Sequence, residues 1–205
     1  MEKASDLELV GGRLCLDFAN TIGNYLAEPR EERLTDYGEL VAWCRHAGIV
    51  DDGEARQLAR VAARQPADAE AAVARARELR DAIFDTFFAI ANDRRPPPRA
   101  IDLLNASLGE ALGAQQLVRD GDGWALRCAA DTQLDSPLRP IARSAAELLV
   151  DRARHERLRV CGGAEHDCTW LFVDESKNGK RRWCSMRDCG NRAKARRHYE
   201  RTHSV

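Results

Sequence analysis

Four cysteines near the C-terminal end, Cys161, Cys168, Cys184 and Cys189, follow the order C-x6-C-x15-C-x4-C. Two short pairs around a 15-residue loop are the spacing with which a knuckle, a hairpin and a helix deliver four thiolates to one tetrahedral Zn²⁺. That constraint predicts a small metal-closed module over residues 159–205, following a separate domain over residues 1–158. One structural zinc ion is the expected cofactor, because so small a module lacks enough core, and metal binding supplies about 10 to 16 kcal/mol of folding energy.

The rest of the composition decides against the other uses of cysteine. The chain has 205 residues, 44% hydrophobic and 32% charged, as in a globular protein. No segment approaches the length of an apolar membrane span, and Met1-Glu2-Lys3-Ala4-Ser5-Asp6 has neither the basic nor the apolar part of a signal peptide. The expected location is the cytoplasm, with no membrane partner. Thiols there stay reduced, so the clustered four are assigned to metal, and Cys15, Cys44 and Cys128 to burial in the core.

A net charge of −1 conceals an asymmetry. Residues 1–158 carry 21 Lys+Arg against 27 Asp+Glu, whereas residues 159–205 carry 11 against 6. A basic module on an acidic body points to an anionic partner for the module, nucleic acid first, because neutralised phosphates release counterions.

The body reads mainly as helix. Asp36 can cap a helix with Leu40, Val41, Trp43 and Cys44 inward, ended by Gly48, and Asp51 or Asp52 can cap another carrying Leu58, Val61 and Ala62. From Asp68 to Ala91, residues Ala72, Ala76, Leu79, Ile83, Phe87 and Ile90 recur at helical spacing. Pro96-Pro97-Pro98 ends that helix and suits the first turn of the next, which carries Ile101, Leu104, Leu108 and Leu112. Asp120-Gly121-Asp122-Gly123 predicts the body's one β-hairpin between residues 115–119 and 124–128. Ser136-Pro137 opens a last helix reaching roughly Leu158. No Gly/Ser/Pro-rich linker follows it, so the module is expected to pack rigidly on the body.

Within the module, Cys161 and Cys168 bracket a small loop, residues 170–174 are strand-like, and residues 181–184 are expected to return antiparallel to them. Cys189 heads a terminal helix running from Gly190 to about Arg201. His166, in the loop, is an alternative ligand to Cys168. The predicted fold class is therefore mainly α, a helical domain with one β-hairpin followed by a small treble-clef-like zinc finger of hairpin and helix.

Cys161, Cys168, the Trp170–Ser176 run, Arg181-Arg182-Trp183-Cys184-Ser185-Met186 and Cys189-Gly190-Asn191-Arg192-Ala193-Lys194 resemble the CGNR zinc finger. Here the first pair is more widely spaced than the family's C-x4-C. Upstream, Leu9 to Thr21 and Glu32-Arg33-Leu34-Thr35 resemble the ABATE domain, which precedes this finger. The resemblance implies a mainly helical, stress-induced transcription regulator that binds DNA.

The candidate nucleic-acid residues are Lys180, Arg181, Arg182 and Arg187 before the terminal helix and Asn191, Arg192, Lys194, Arg196 and Arg197 on it. Groove-entering helices commonly lead with their N-terminal turns, which favours Asn191, Arg192 and Lys194 for base or phosphate contact. The alternative is a zinc-stabilised module that meets RNA or an acidic protein, or a solvated charged helix alone. In the body, Arg13, Asp17, Asn20 and Thr21 interrupt an apolar stretch; they either brace the fold or line a ligand pocket. No enzyme is expected. The sequence lacks phosphate-cradling, dinucleotide, H-E-x-x-H and G-x-S-x-G motifs, residues 169–183 hold no histidine for a metal-dependent nuclease, and four cysteine ligands leave zinc no open position.

Overall fold

A computed structural model describes residues 3–26, 29–128, 133–162 and 168–203. The expected core position of the Cys128 side chain, and the alternative ligand His166, fall outside the described parts.

Local signals place most helices. The Asp36 carboxylate accepts from the Glu39 amide at 3.0 Å and opens α2 (Tyr37–His46), while Asp51 and Glu54 close a capping box at the start of α3 (Asp52–Arg64). After Gln65 alone, Pro66 begins α4 (Pro66–Ala91), whose Ala69, Ala72, Val73, Ala76, Leu79, Ile83 and Phe87 are buried. This helix is the axis of the body, packed on α1 (Leu14–Ala19), α2 and α5 (Pro98–Gly113). The core around it holds Leu16, Phe18, Leu40, Trp43, Ile83 and Phe87, each 0% exposed, and each such side chain contributes about 1.5 to 3 kcal/mol.

Three sequence expectations change. Leu112, expected inward on α5, is 51% exposed. The last body helix, α6 (Leu138–Val150), stops well short of Leu158 because Asp151 caps a separate turn, α7 (Arg152–His155), by accepting from the Arg154 amide. The body also has a second strand pair: β1 (Ile22–Gly23) with β2 (Glu31–Glu32), besides the expected hairpin of β3 (Gln115–Asp120) and β4 (Gly123–Cys128). Gly121, at φ +59°, makes the turn of that hairpin.

The module differs in its pairing. Strand β6 (Leu171–Val173) pairs antiparallel with β5 (Leu158–Val160), upstream of Cys161, and not with residues 181–184. Alternation along β6 explains the choice. Leu171 and Val173 join Leu158 in the body's core, whereas Phe172, on the other face, packs with Cys161, Trp183, Cys184, Cys189 and Ala193. One three-residue strand thus serves two cores. Residues 181–183 stay outside the sheet because buried Asp174 accepts from the Ser176 and Arg181 amides, both at 2.9 Å, and closes the intervening turn.

Candidate metal centre and basic helix

The chain delivers the four sulfurs from three directions. Cys161 leaves the end of β5 with its amide on the Trp170 carbonyl at 2.8 Å, and the Gly162 amide donates to the Arg182 carbonyl at 2.7 Å. A Cβ on Gly162 would come within 2.9 Å of that carbonyl oxygen, so the approach requires glycine. The contact brings Cys184 over Cys161, and the Cys184 amide donates to the Cys161 Sγ at 3.3 Å. A five-residue π-helical turn, Met186–Gly190, then turns Cys189 inward before α8 (Asn191–His203) begins.

All four sulfurs lie within 4.8 Å of one another. The Cys168–Cys184 and Cys184–Cys189 separations are 3.8 and 3.5 Å, against about 3.8 Å for the edge of a tetrahedron with the usual Zn–S bond length. Cys161, Cys184 and Cys189 are buried and Cys168 is partly so. Hydrogen bonding within the cluster pushes the Cys189 and Cys161 thiols down and the Cys168 and Cys184 thiols up, and the Arg192 guanidinium lies 3.4 Å from the Cys189 sulfur. A thiol poised as thiolate beside a cation is the metal-binding form. The donor set, burial and spacing all fit Zn²⁺.

The module is fastened to the body by hydrogen bonds as well as by the shared strand. Asn20 donates to the Leu171 carbonyl at 2.9 Å and accepts from the Leu171 amide at 2.8 Å. The Val173 amide donates to the Gly11 carbonyl at 2.9 Å, and Arg13 pairs with Glu175 at 3.1 Å. Asp17 accepts from the Gly11 amide at 2.7 Å, and Thr21 donates to the Phe18 carbonyl at 2.8 Å. Of the two uses weighed for Arg13, Asp17, Asn20 and Thr21, the polar atoms are therefore engaged in bracing. An open cavity of about 700 Å³ lies elsewhere, between α4, α5 and α6, where Arg75 pairs with Asp135 at 2.6 Å. Its charged lining is scattered over three helices and the turn before α6, and carried no sequence signal.

Residues 12–152 match ABATE, whose description is "Putative stress-induced transcription regulator", and residues 157–202 match the CGNR zinc finger. The chain belongs to the ABATE family. Among curated proteins, none matches it. In this ABATE protein the four-cysteine centre is accordingly the structural zinc site of a CGNR finger. Zinc held by Cys161, Cys168, Cys184 and Cys189 supplies a cross-link between β5, the turn after Asp174 and the start of α8.

The Gly-Asn-Arg of the finger's namesake run acquire separate tasks in this ABATE protein. Gly190 packs under Met186 and Trp183; a Cβ there would lie 2.7 Å from the Met186 sulfur. Asn191 donates to the Arg187 carbonyl at 2.9 Å, and Arg192 bonds Asp188 at 3.1 Å while facing the Cys189 sulfur. Arg181 is also a structural group. Its guanidinium donates to the carbonyls of Val10, Trp183 and Cys184 and lies over the Phe172 ring at 4.4 Å. It therefore lies at the seam between finger and body. Arg182 lies over Trp183 at 5.4 Å and is exposed, as are Lys180 and Arg187.

Among the described side chains of α8, Ala193 alone is buried. At about 100° per residue, the remainder sort into three stripes. Arg192 and Arg196, with Tyr199 and His203, form one flank, Lys194, Arg197 and Arg201 the other, and Asn191, Ala195, His198 and Thr202 lie between them, opposite Ala193. No helix among the described residues is long and apolar enough to cross a membrane.

Proposed function

We propose that this protein is a transcription regulator that binds duplex DNA by inserting α8 into the major groove. The observation that carries this reading is a basic helix rooted at Ala193 on a rigid zinc site and exposed along the rest of its described length. A 13-residue helix with no apolar face has little to hold it in water beyond its root, and a groove supplies the missing partner. Two basic flanks suit the two phosphate walls of a groove about 12 Å wide. The stripe between them, Asn191, Ala195, His198 and Thr202, offers polar groups and one small residue to base edges. Lys180 and Arg182 on the preceding turn are placed to hold backbone phosphate.

The zinc has a structural part in this reading, since four thiolates leave no position for water or substrate, and no catalysis is assigned. Stress sensing, which the family description suggests, belongs to the helical body, whose fastening to the finger offers a route for coupling. The test uses the full chain, because Leu158, Leu171 and Val173 belong to the body's core and an isolated finger would expose them. Affinity for mixed-sequence duplex should fall with salt at a slope of about −0.9 per phosphate contact. Absence of binding at low salt overturns the proposal.

A further inference from the structure

The β3–β4 hairpin presents an apolar face to solvent. Cross-strand partners Leu117 and Leu126 are 69% and 58% exposed. The next pair on that face is Arg119 and Trp124, with Trp124 66% exposed and the guanidinium 5.5 Å from its ring. Leu112, at the end of α5 just before the hairpin, is exposed as well. Outside its own two strands the hairpin has no extensive packing on another described element, and among the described residues both strands have an unpaired edge.

From this face we infer that the protein is a two-fold dimer joined through the hairpins. Three observations select a second copy as the occupant. A lone two-stranded hairpin is marginal in water, so its partner must be present wherever the chain is present, a condition another copy always meets. The exposed parts of Leu117, Trp124 and Leu126 form an apolar patch of roughly 350 Å², most of the non-polar share of the ~800 Å² that each partner gives to a stable interface. Finally, the rim holds both signs of charge, Arg119 on the face and Asp122 at the turn, so it complements itself across a two-fold axis better than it complements a uniformly acidic or basic partner. The apolar centre within a polar rim is the usual anatomy of such a contact.

The experiment is sedimentation of the zinc-loaded full chain over a wide concentration range, beside Leu117→Glu and Leu126→Glu. Both side chains are exposed in the single chain, so zinc content and circular dichroism should stay at the parent's values. The parent is expected to sediment as a dimer and both variants as monomers. Hydrogen exchange of the parent gives a second reading that needs no substitution: amide protection in residues 115–126 should rise with protein concentration. A parent monomeric throughout, or exchange in the hairpin independent of concentration, overturns the inference. So does a dimer that survives both substitutions, or assembly beyond the dimer, since a two-fold contact closes on itself.

Discussion

Asn20 at the end of α1 holds both backbone groups of Leu171 in the finger, its amide nitrogen 2.9 Å from the carbonyl and its oxygen 2.8 Å from the amide. A side-chain amide is the one common group that donates and accepts with the spacing of a strand neighbour, so Asn20 acts as a one-residue strand against β6. Asn20→Ala leaves two buried backbone groups without partners, and should cost about 2 to 4 kcal/mol in urea unfolding. Asn20→Asp should not rescue it, because a carboxylate oxygen would face the Leu171 carbonyl.

Zinc removal should act beyond the finger. Since Leu171 and Val173 complete the body's core, a strong chelator, or Cys184→Ser, is expected to lower the unfolding midpoint of the whole chain as well as release metal. A body melting unchanged while a chromogenic chelator reports full zinc release would contradict this coupling.

Arg181 and Lys194 should separate in their effects. Arg181→Ala removes bonds to three carbonyls and is expected to lower stability on the order of 2 kcal/mol. Lys194→Gln should leave stability within about 0.5 kcal/mol and reduce the DNA salt slope by about one. His198→Ala should keep the slope and broaden the sequences recovered by selection from random duplexes.

Burial pushes the Asp17 carboxyl up to about 6, against the opposing hydrogen bonds of the Gly11 and Val10 amides. A raised folded-state value means the folded chain holds its proton more tightly than the unfolded chain. Ionised Asp17 therefore costs stability above that value, and the cost vanishes below the unfolded value of 3.8. Asp17→Asn keeps an acceptor for Gly11 and should be more stable than the parent by up to about 3 kcal/mol above pH 6. The gap should open between about pH 4 and 6, as seen in unfolding midpoints measured across that range.

Thr86 is 0% exposed on α4 and its hydroxyl has no hydrogen-bond partner among the described residues. Thr86→Val replaces a stranded polar atom by a methyl of the same shape and should raise stability by about 1 kcal/mol. An unchanged or lower melting temperature would count against that account.

What was legible in the sequence was what a few neighbouring residues decide. Asp36 and Asp51 cap their helices through amides two or three residues on, and the α4 core recurs at spacings that need no partner to be read. The cysteine spacing was legible because ligation tolerates few separations. The partner of β6 was not, since the helical reading runs on to about Leu158 and hides the strand at 158–160, while residues 181–184 supply a strand-like run beside a cysteine. The body's need for Leu171 and Val173, a demand from more than 100 residues upstream, decides between them. The structural part of Arg181 was hidden for the same reason: a guanidinium counted as surface charge is held by carbonyls at Val10 and Cys184 that only the assembled seam brings together. In α5, Leu112 fits the helical period but is 51% exposed, because its neighbour Ala111, 1% exposed, takes the inward position in that turn.

The double use of β6 also limits how such two-part proteins can be recombined. A chimera that exchanges the finger at the gap between the two family matches, residues 153–156, would set a foreign strand against Asn20, Gly11 and the face of α4. Under the proposed function, transplanting DNA preference between relatives is therefore best done on the outward stripes of α8, leaving β5, β6 and the cysteines in their native host.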